Sequence, residues 1–257
     1  MQTTAPVSNQ ILWASRILSG LSVLFLLMDG VMKLFKPAPV LEATTKLGIP
    51  EHLIIPLGVV LILSTILYVI PRTTMLGAIL LTGYLGGAVN THVRVGEGWF
   101  PILFPVFFGV LLWGGLYLRE TRLHSLVPLT SPSVSTSKKM LWGGYVLSVL
   151  PSLLLLFSAF MKLSKNPRAV EGFKNFGYGD SAILSIGVIE IVCTVLYLIP
   201  RTAVIGAILL TGYMGGAIVT HLRVGQSFIV QFLVGVIIWG GLYLRHERLR
   251  ELMPLRG

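Results

Sequence analysis

Long apolar runs, broken by short clusters of proline, glycine and charge, dominate the chain and predict eight helices. The first covers Ile11–Phe35 and stops at Pro37 and Pro39; a short polar loop with Lys36, Glu42, Lys46 and Glu51 follows. The second covers Leu53–Ile70, and the turn at Pro71 and Arg72 leads into the third, Thr74–His92. Residues 94–98 turn the chain into the fourth, Trp99–Leu118. A stretch rich in Ser, Thr and Pro between Arg119 and Lys139 is the only good boundary. Beyond it lie the fifth helix, Leu141–Leu163, the sixth, Ser181–Ile199, the seventh, Ala203–Leu222, and the eighth, Phe228–Leu244. Several runs reach the roughly 18–20 apolar residues that cross a bilayer as a helix. The expected fold is an all-α membrane protein with eight transmembrane helices.

The eight helices are one plan used twice. Residues 70–96 and 199–225 are identical at 20 of 27 positions, at a fixed offset of 129. The run WGGLYLR occurs at Trp113–Arg119 and again at Trp239–Arg245, now offset by 126, so the second copy has lost three residues in between. This is a tandem duplication. It divides the chain into a first four-helix unit, 1–125, a linker, 126–139, and a second unit, 140–257. An even number of crossings per unit makes the two units parallel repeats, related by a pseudo-two-fold along the membrane normal.

Composition removes the soluble alternatives. Charged residues are 12% and mean hydropathy is +0.83. The net charge of +10 reflects Lys and Arg in the turns and flanks of apolar segments, where they meet lipid headgroups. No basic helix interleaved with aromatics is present, so nucleic acid is not an expected partner. The lone Cys193 excludes an internal disulfide, a CxxC redox pair and a cysteine-based metal site. The N-terminus has no Lys or Arg before a long first apolar run, so that run is expected to remain as a membrane helix. The side bearing the termini, linker and both IPRT turns holds 11 of the 20 Lys/Arg against 9 opposite, and their clustering in linker and tail favours cytoplasmic termini.

The third and seventh helices are rich in glycine: Gly77, Gly83, Gly86 and Gly87, then Gly206, Gly212, Gly215 and Gly216. Gly83 with Gly87, and Gly212 with Gly216, have the small-xxx-small spacing that lets helices approach closely in lipid. A packing seam is the simplest use of it, at the centre of each bundle or between units.

Ionisable residues at membrane depth are functional candidates, because lipid makes them costly. Glu190 lies ten residues before Pro200, about 15 Å from that turn at 1.5 Å per residue, and Tyr213 on the next helix reaches a similar depth. A Glu190–Tyr213 hydrogen bond is expected, with desolvation favouring the protonated acid. His92 and His221 end the third and seventh helices, about 27–28 Å up. Asp29 stands at a similar height with Lys33 one turn on, so Asp29, Lys33 and His92 form a candidate polar cluster. The equivalents in the second unit are Ser158, Lys162 and His221, while Leu61 occupies the position of Glu190. Each unit thus keeps one acid. The bland readings stand beside these: a histidine capping carbonyls, lysines reaching the headgroups, a Glu190 that only ties helices together. Trp99, Trp113, Trp142 and Trp239 read as interfacial belt residues. No phosphate loop, nucleophile elbow or zincin motif is present, and no cofactor is specified.

The M-K-L runs at Met32–Leu34 and Met161–Leu163, the I-P-R-T turns and the T-G-Y-x-G-G-A…T-H-x-R-V-G runs resemble the DoxX-like family of small four-helix membrane proteins. The resemblance covers nearly the whole chain, once per half, and makes it a covalent pair of units that are usually single. It implies a protein of the bacterial cytoplasmic membrane, and links to sulfur or quinone redox complexes and oxidative-stress assemblies. It also implies an acid in the middle of the second helix of a unit; Glu190 fits and Leu61 departs.

Three functions stay open. One is a redox-linked subunit binding a quinone-like molecule between the helices at Glu190 and Tyr213. Another is a carrier or binding protein for a lipid or small apolar compound. The third is a cofactor-free intramembrane isomerase with Glu190 as proton shuttle, assisted by Asp29 or His92. Membrane lipids are expected partners in each, and a redox partner protein or a second copy of the chain stays open.

Overall fold

The computed structural model describes residues 8–127 and 137–253. Most of the expected linker and the two chain ends lie outside those residues. The first unit comprises α1 (Asn9–Phe35), α2 (Ala38–Lys46), α3 (Glu51–Val69), α4 (Thr74–Val95) and α5 (Trp99–Arg119). The second comprises α6 (Lys138–Leu163), α7 (Pro167–Asn175), α8 (Asp180–Leu198), α9 (Ala203–Arg223), α10 (Ile229–Arg245) and a short α11 (Glu247–Leu252). A 3-10 turn at Thr121–Ser125 follows α5, and no strand occurs among the described residues.

The surface is that of a membrane protein. Large apolar side chains such as Leu24, Phe107, Leu153 and Phe157 are exposed, while Ser15, Ser19, Ser22, Ser64, Thr65, Ser148, Ser152 and Thr194 are buried. All of these hydroxyls but that of Ser64 make a hydrogen bond. Thr65 donates to the Leu61 carbonyl at 2.7 Å, Ser152 to Ser148 at 2.7 Å and Thr194 to Glu190 at 2.7 Å, each one turn back. Lipid offers no partner, so a hydroxyl bonds within its own helix or to a neighbour.

Among the described residues, six helices are long and apolar enough to cross a membrane: α1, α3, α5, α6, α8 and α9. That is two fewer than the eight expected. α10 has 17 residues, and α4 spends its last turns on Asn90, Thr91, His92 and Arg94. α4 can be less apolar because it is shielded, packed against α3 and α5 of its own unit and α9 of the other.

The polar loops expected after the first helix of each unit are helices. Pro37 and Pro39 stop α1 and also start α2, since a proline ring presets the backbone angle of a first turn and its missing N–H is not needed there. Pro167 does the same for α7, where Asn166 accepts from the Arg168 N–H at 3.1 Å. Each preceding helix is followed within two residues by a lysine in the left-handed region, Lys36 at φ 46° and Lys165 at φ 49°, so the turn is duplicated with the rest.

Within each unit the four long helices close a ring, α1–α3–α4–α5 and α6–α8–α9–α10. The units meet through α4 and α9, the most extensive helix contact in the protein. A Cβ on Gly86 would overlap the Gly212 backbone, and one on Gly215 would overlap Gly83. These two contacts exchange under the 129-residue offset, the signature of an isologous two-fold interface. The closest approach therefore uses Gly83/Gly86 and Gly212/Gly215, spaced by three, whereas Gly87 and Gly216 sit at its edge against Gly215, Val219 and Asn90. Asn90 clasps the seam from one side only, donating to the Gly216 carbonyl at 3.0 Å and Thr220 Oγ1 at 2.9 Å; its counterpart is Val219.

Gly86→Ala is expected to destabilise the protein by about 1–3 kcal/mol, because a methyl there meets backbone that cannot rotate away. Gly235→Ala, which faces open space on α10, is expected to be neutral or slightly stabilising. Thermal midpoints of the two variants in one detergent check the difference.

Candidate functional site

A helix tilts its Cα–Cβ bonds toward its own N-terminus, and this decides where the lysine near the end of α6 points. Lys162 lies in the last turn, one residue from Leu163, yet its side chain runs back into the bundle and is 10% exposed. Its ammonium donates to Glu190 Oε2 on α8 at 2.8 Å and to Ser158 Oγ one turn earlier at 2.5 Å. The Glu190 side chain is 2% exposed. Tyr213 on α9 borders the carboxyl electrostatically, and its ring lies 6.0 Å from the Lys162 ammonium. Phe173 of α7 covers the group from above, 5.9 Å from the same ammonium. Cys193, one turn along α8, is buried in the same field.

The structure thus brings Glu190 and Tyr213 together, and the directly bonded partner of Glu190 is Lys162. That lysine does not reach for the headgroups. The opposite charge of that ammonium offsets part of the cost of burying the carboxylate.

The first unit solves the same problem differently. Lys33 pairs with Asp29 one turn back on α1, Tyr84 stands in the field of Asp29, and fully buried Leu61 fills the place of Glu190. In each unit the lysine of M-K-L pairs with one acid, but that acid has moved from α1 in the first to α8 in the second. His92 does not join Asp29. It bonds Glu97 Oε2 at 2.5 Å, where Gly96 at φ 76° lets the chain double back. His221 meets Gln231 at 2.9 Å and the Phe176 ring at 5.0 Å. Asp29 and His92 therefore sit in the unit opposite Glu190, each with a partner of its own.

The tryptophans divide into two kinds. Trp99 and Trp142 are 79% and 73% exposed, as a belt residue is. Trp113 and Trp239 are not belt residues: their indole N–H groups donate to Thr82 Oγ1 and Thr211 Oγ1, both at 2.8 Å. This binds α5 to α4 and α10 to α9 through the threonine of T-G-Y. Tyr68 and Tyr197 reach across each ring, from α3 to α5 and from α8 to α10, donating to the carbonyls of Leu112 at 2.8 Å and Ile238 at 2.9 Å. At the terminus-side rim, a hydrogen bond from Arg122 holds the Glu120 carboxyl below its usual range. Burial, with Arg245 and Arg250 alongside, pushes His246 down to about 4.

The interior is closed around the charged group. Two small, partly open clefts measure about 30 and 10 Å³, on the scale of a water molecule. The larger lies at the rim by Glu120, Arg122 and Leu252; the smaller opens between α7 and α8 at Phe173, Tyr178 and Ile183, beside the ring that covers Lys162.

The DoxX-like family pattern matches residues 17–115 and again 146–241. The chain belongs to the DoxX-like family. Each match covers the core of one four-helix unit, as a tandem duplication requires, and the protein is an integral membrane protein. No curated protein and no solved structure matches the chain. Both DoxX-like units keep the lysine of M-K-L, the tyrosine of T-G-Y and one acid beside them.

Lys162→Met, which strands the Glu190 carboxyl, is expected to cost about 3–5 kcal/mol. Glu190→Leu strands the ammonium and should cost a similar amount. Adding Ser158→Asp to Glu190→Leu copies the first unit's layout and is expected to recover most of the loss. Unfolding of the three variants in mixed micelles reads this; no recovery in the double variant would mean that the two layouts are not equivalent.

Proposed function

We propose that this protein is a redox-linked membrane subunit that binds an apolar, quinone-like molecule in its second unit. In this reading all eight long helices cross the membrane, α4 and α10 included, and both units insert the same way up. The termini face the cytoplasm, on the side where Arg119, Arg122, Lys138, Lys139, Arg245, Arg248 and Arg250 cluster.

The observation that carries the reading is the Lys162–Glu190 pair, buried beside Tyr213 under α7. A quinone head needs donors for its carbonyl oxygens and a proton source when it is reduced. The Lys162 ammonium supplies a charge-assisted donor, and the Tyr213 hydroxyl lies alongside as a second donor. The reduced quinone takes up two protons: Lys162 passes each to a quinone oxygen, and Glu190 relays protons from the aqueous side to restore the ammonium. The electrons come from a partner redox protein. The closed interior requires Phe173 and α7 to move aside, and the cleft between α7 and α8 marks the route.

Binding of a short-chain ubiquinone analogue to the detergent-purified protein tests the reading. Lys162→Gln and Glu190→Gln are each expected to weaken it about tenfold or more, the loss of one hydrogen bond to a charged group. Lys33→Gln, in the first unit, is expected to leave it unchanged. Equal affinity in all four proteins contradicts the assignment of this site.

A further inference from the structure

α4 and α9 both end in T-H-x-R-V-G, and the arginine of each copy has one shared task. Arg94 donates to the Leu47 carbonyl just past α2, and Arg223 Nη2 donates to the Phe176 carbonyl just past α7 at 2.5 Å. Each guanidinium thereby caps the negative end of a short helix. That accounts for one of the five donors each arginine carries.

The pseudo-two-fold that joins α4 to α9 also brings these two helix ends together. The position a Cβ on Gly177 would occupy is 3.7 Å from Arg94 Nη1 and 3.8 Å from Arg223 Nη2, so both guanidinium groups converge on one residue. Arg94 feels the charge of Arg223, with the Tyr178 hydroxyl close by. Among the described residues no carboxylate pairs with either arginine. Arg223 Nε is buried and has no hydrogen-bond partner. Two like charges held together at the edge of an apolar bundle repel, and the carbonyls they cap offset only part of that repulsion.

We propose that Arg94 and Arg223 together bind one phosphate group, held on the pseudo-two-fold axis at the end of the bundle opposite the termini. Paired guanidinium forks match phosphate oxygens in shape as well as charge. Both arginines are half-buried at the rim, where an anionic lipid headgroup and a dissolved phosphate can each reach them. The site is distinct from the Lys162–Glu190 pair and does not depend on what that pair binds.

Gly177 offers a test that leaves both arginines in place. Its φ of 76° is one that Asp and Asn tolerate better than other residues, and its Cβ position is in ordinary contact distance of both guanidinium groups. Gly177→Asp places a carboxylate between the arginines and competes with an outside anion; Gly177→Asn changes shape equally but adds no charge. The full chain is placed in phosphatidylcholine nanodiscs with and without phosphatidylglycerol, and lipid carried on the released protein is read by native mass spectrometry. In phosphatidylcholine discs alone, the thermal midpoint is read against added inorganic phosphate. Phosphatidylglycerol retained by wild type and Gly177→Asn, and weakened about tenfold in Gly177→Asp, supports the site with a lipid headgroup as its occupant. A phosphate-dependent rise in midpoint, present in the same two proteins and absent in Gly177→Asp, supports it with a soluble anion. If Gly177→Asp does not fold, Arg223→Gln takes its place with the same expectation. Binding that is equal in all the proteins, or binding of neither anion by wild type, overturns the proposal.

Discussion

An ammonium group turned into an apolar bundle must find a negative partner, and both units of this protein are built around that demand. The lysine of M-K-L sits near the outer end of the first helix, and helix geometry points it inward. In the first unit the partner is Asp29, on the same helix. In the second it is Glu190, carried by the neighbouring helix and almost fully buried. The difference matters. A pair on one helix is a local matter, while the Lys162–Glu190 pair ties α6 to α8 and puts two opposite charges, a phenol and a thiol in one enclosed space. The units share a fold and have parted in chemistry, and only the second buries its acid almost completely.

What holds the two units together is of another kind. Lipid gives helices no hydrophobic reason to associate, so the α4–α9 seam relies on backbone contact that only glycine permits, with Asn90 locking one side. The same seam sets the positions of α4 and α9, hence of Tyr84, Tyr213, Arg94 and Arg223. The repeated T-G-Y-x-G-G-A…T-H-x-R-V-G run reads as one device. Its threonine holds a tryptophan, its tyrosine faces the acid, its glycines join the units and its arginine fastens the short outer helix.

Much of this was legible in the sequence. Apolar length and the 129-residue repeat place the eight long helices, and depth counting along α8 and α9 brings Glu190 next to Tyr213. The rest failed for identifiable reasons. Pro37 and Pro39 read as stops, but proline also starts a helix, so α2 and, after Pro167, α7 are missed as helices. The spacing of four between Gly83 and Gly87 is the familiar one, whereas the crossing of α4 and α9 selects Gly83 and Gly86, and spacing alone does not report a crossing angle. Trp113 and Trp239 lie near helix ends, and only tertiary contact shows that Thr82 and Thr211 draw them inside. Lys162 was readable as a partner for Glu190: aligning the units shows one lysine and one displaced acid in each, and side-chain direction does the rest.

The charge state of Glu190 bears most directly on the account. Infrared difference spectra between wild type and Glu190→Gln at neutral pH isolate that one side chain. The account predicts the paired stretches of an ionised carboxylate, lost again when Lys162→Met removes its partner. The carbonyl band of a protonated acid in the wild-type protein would contradict it.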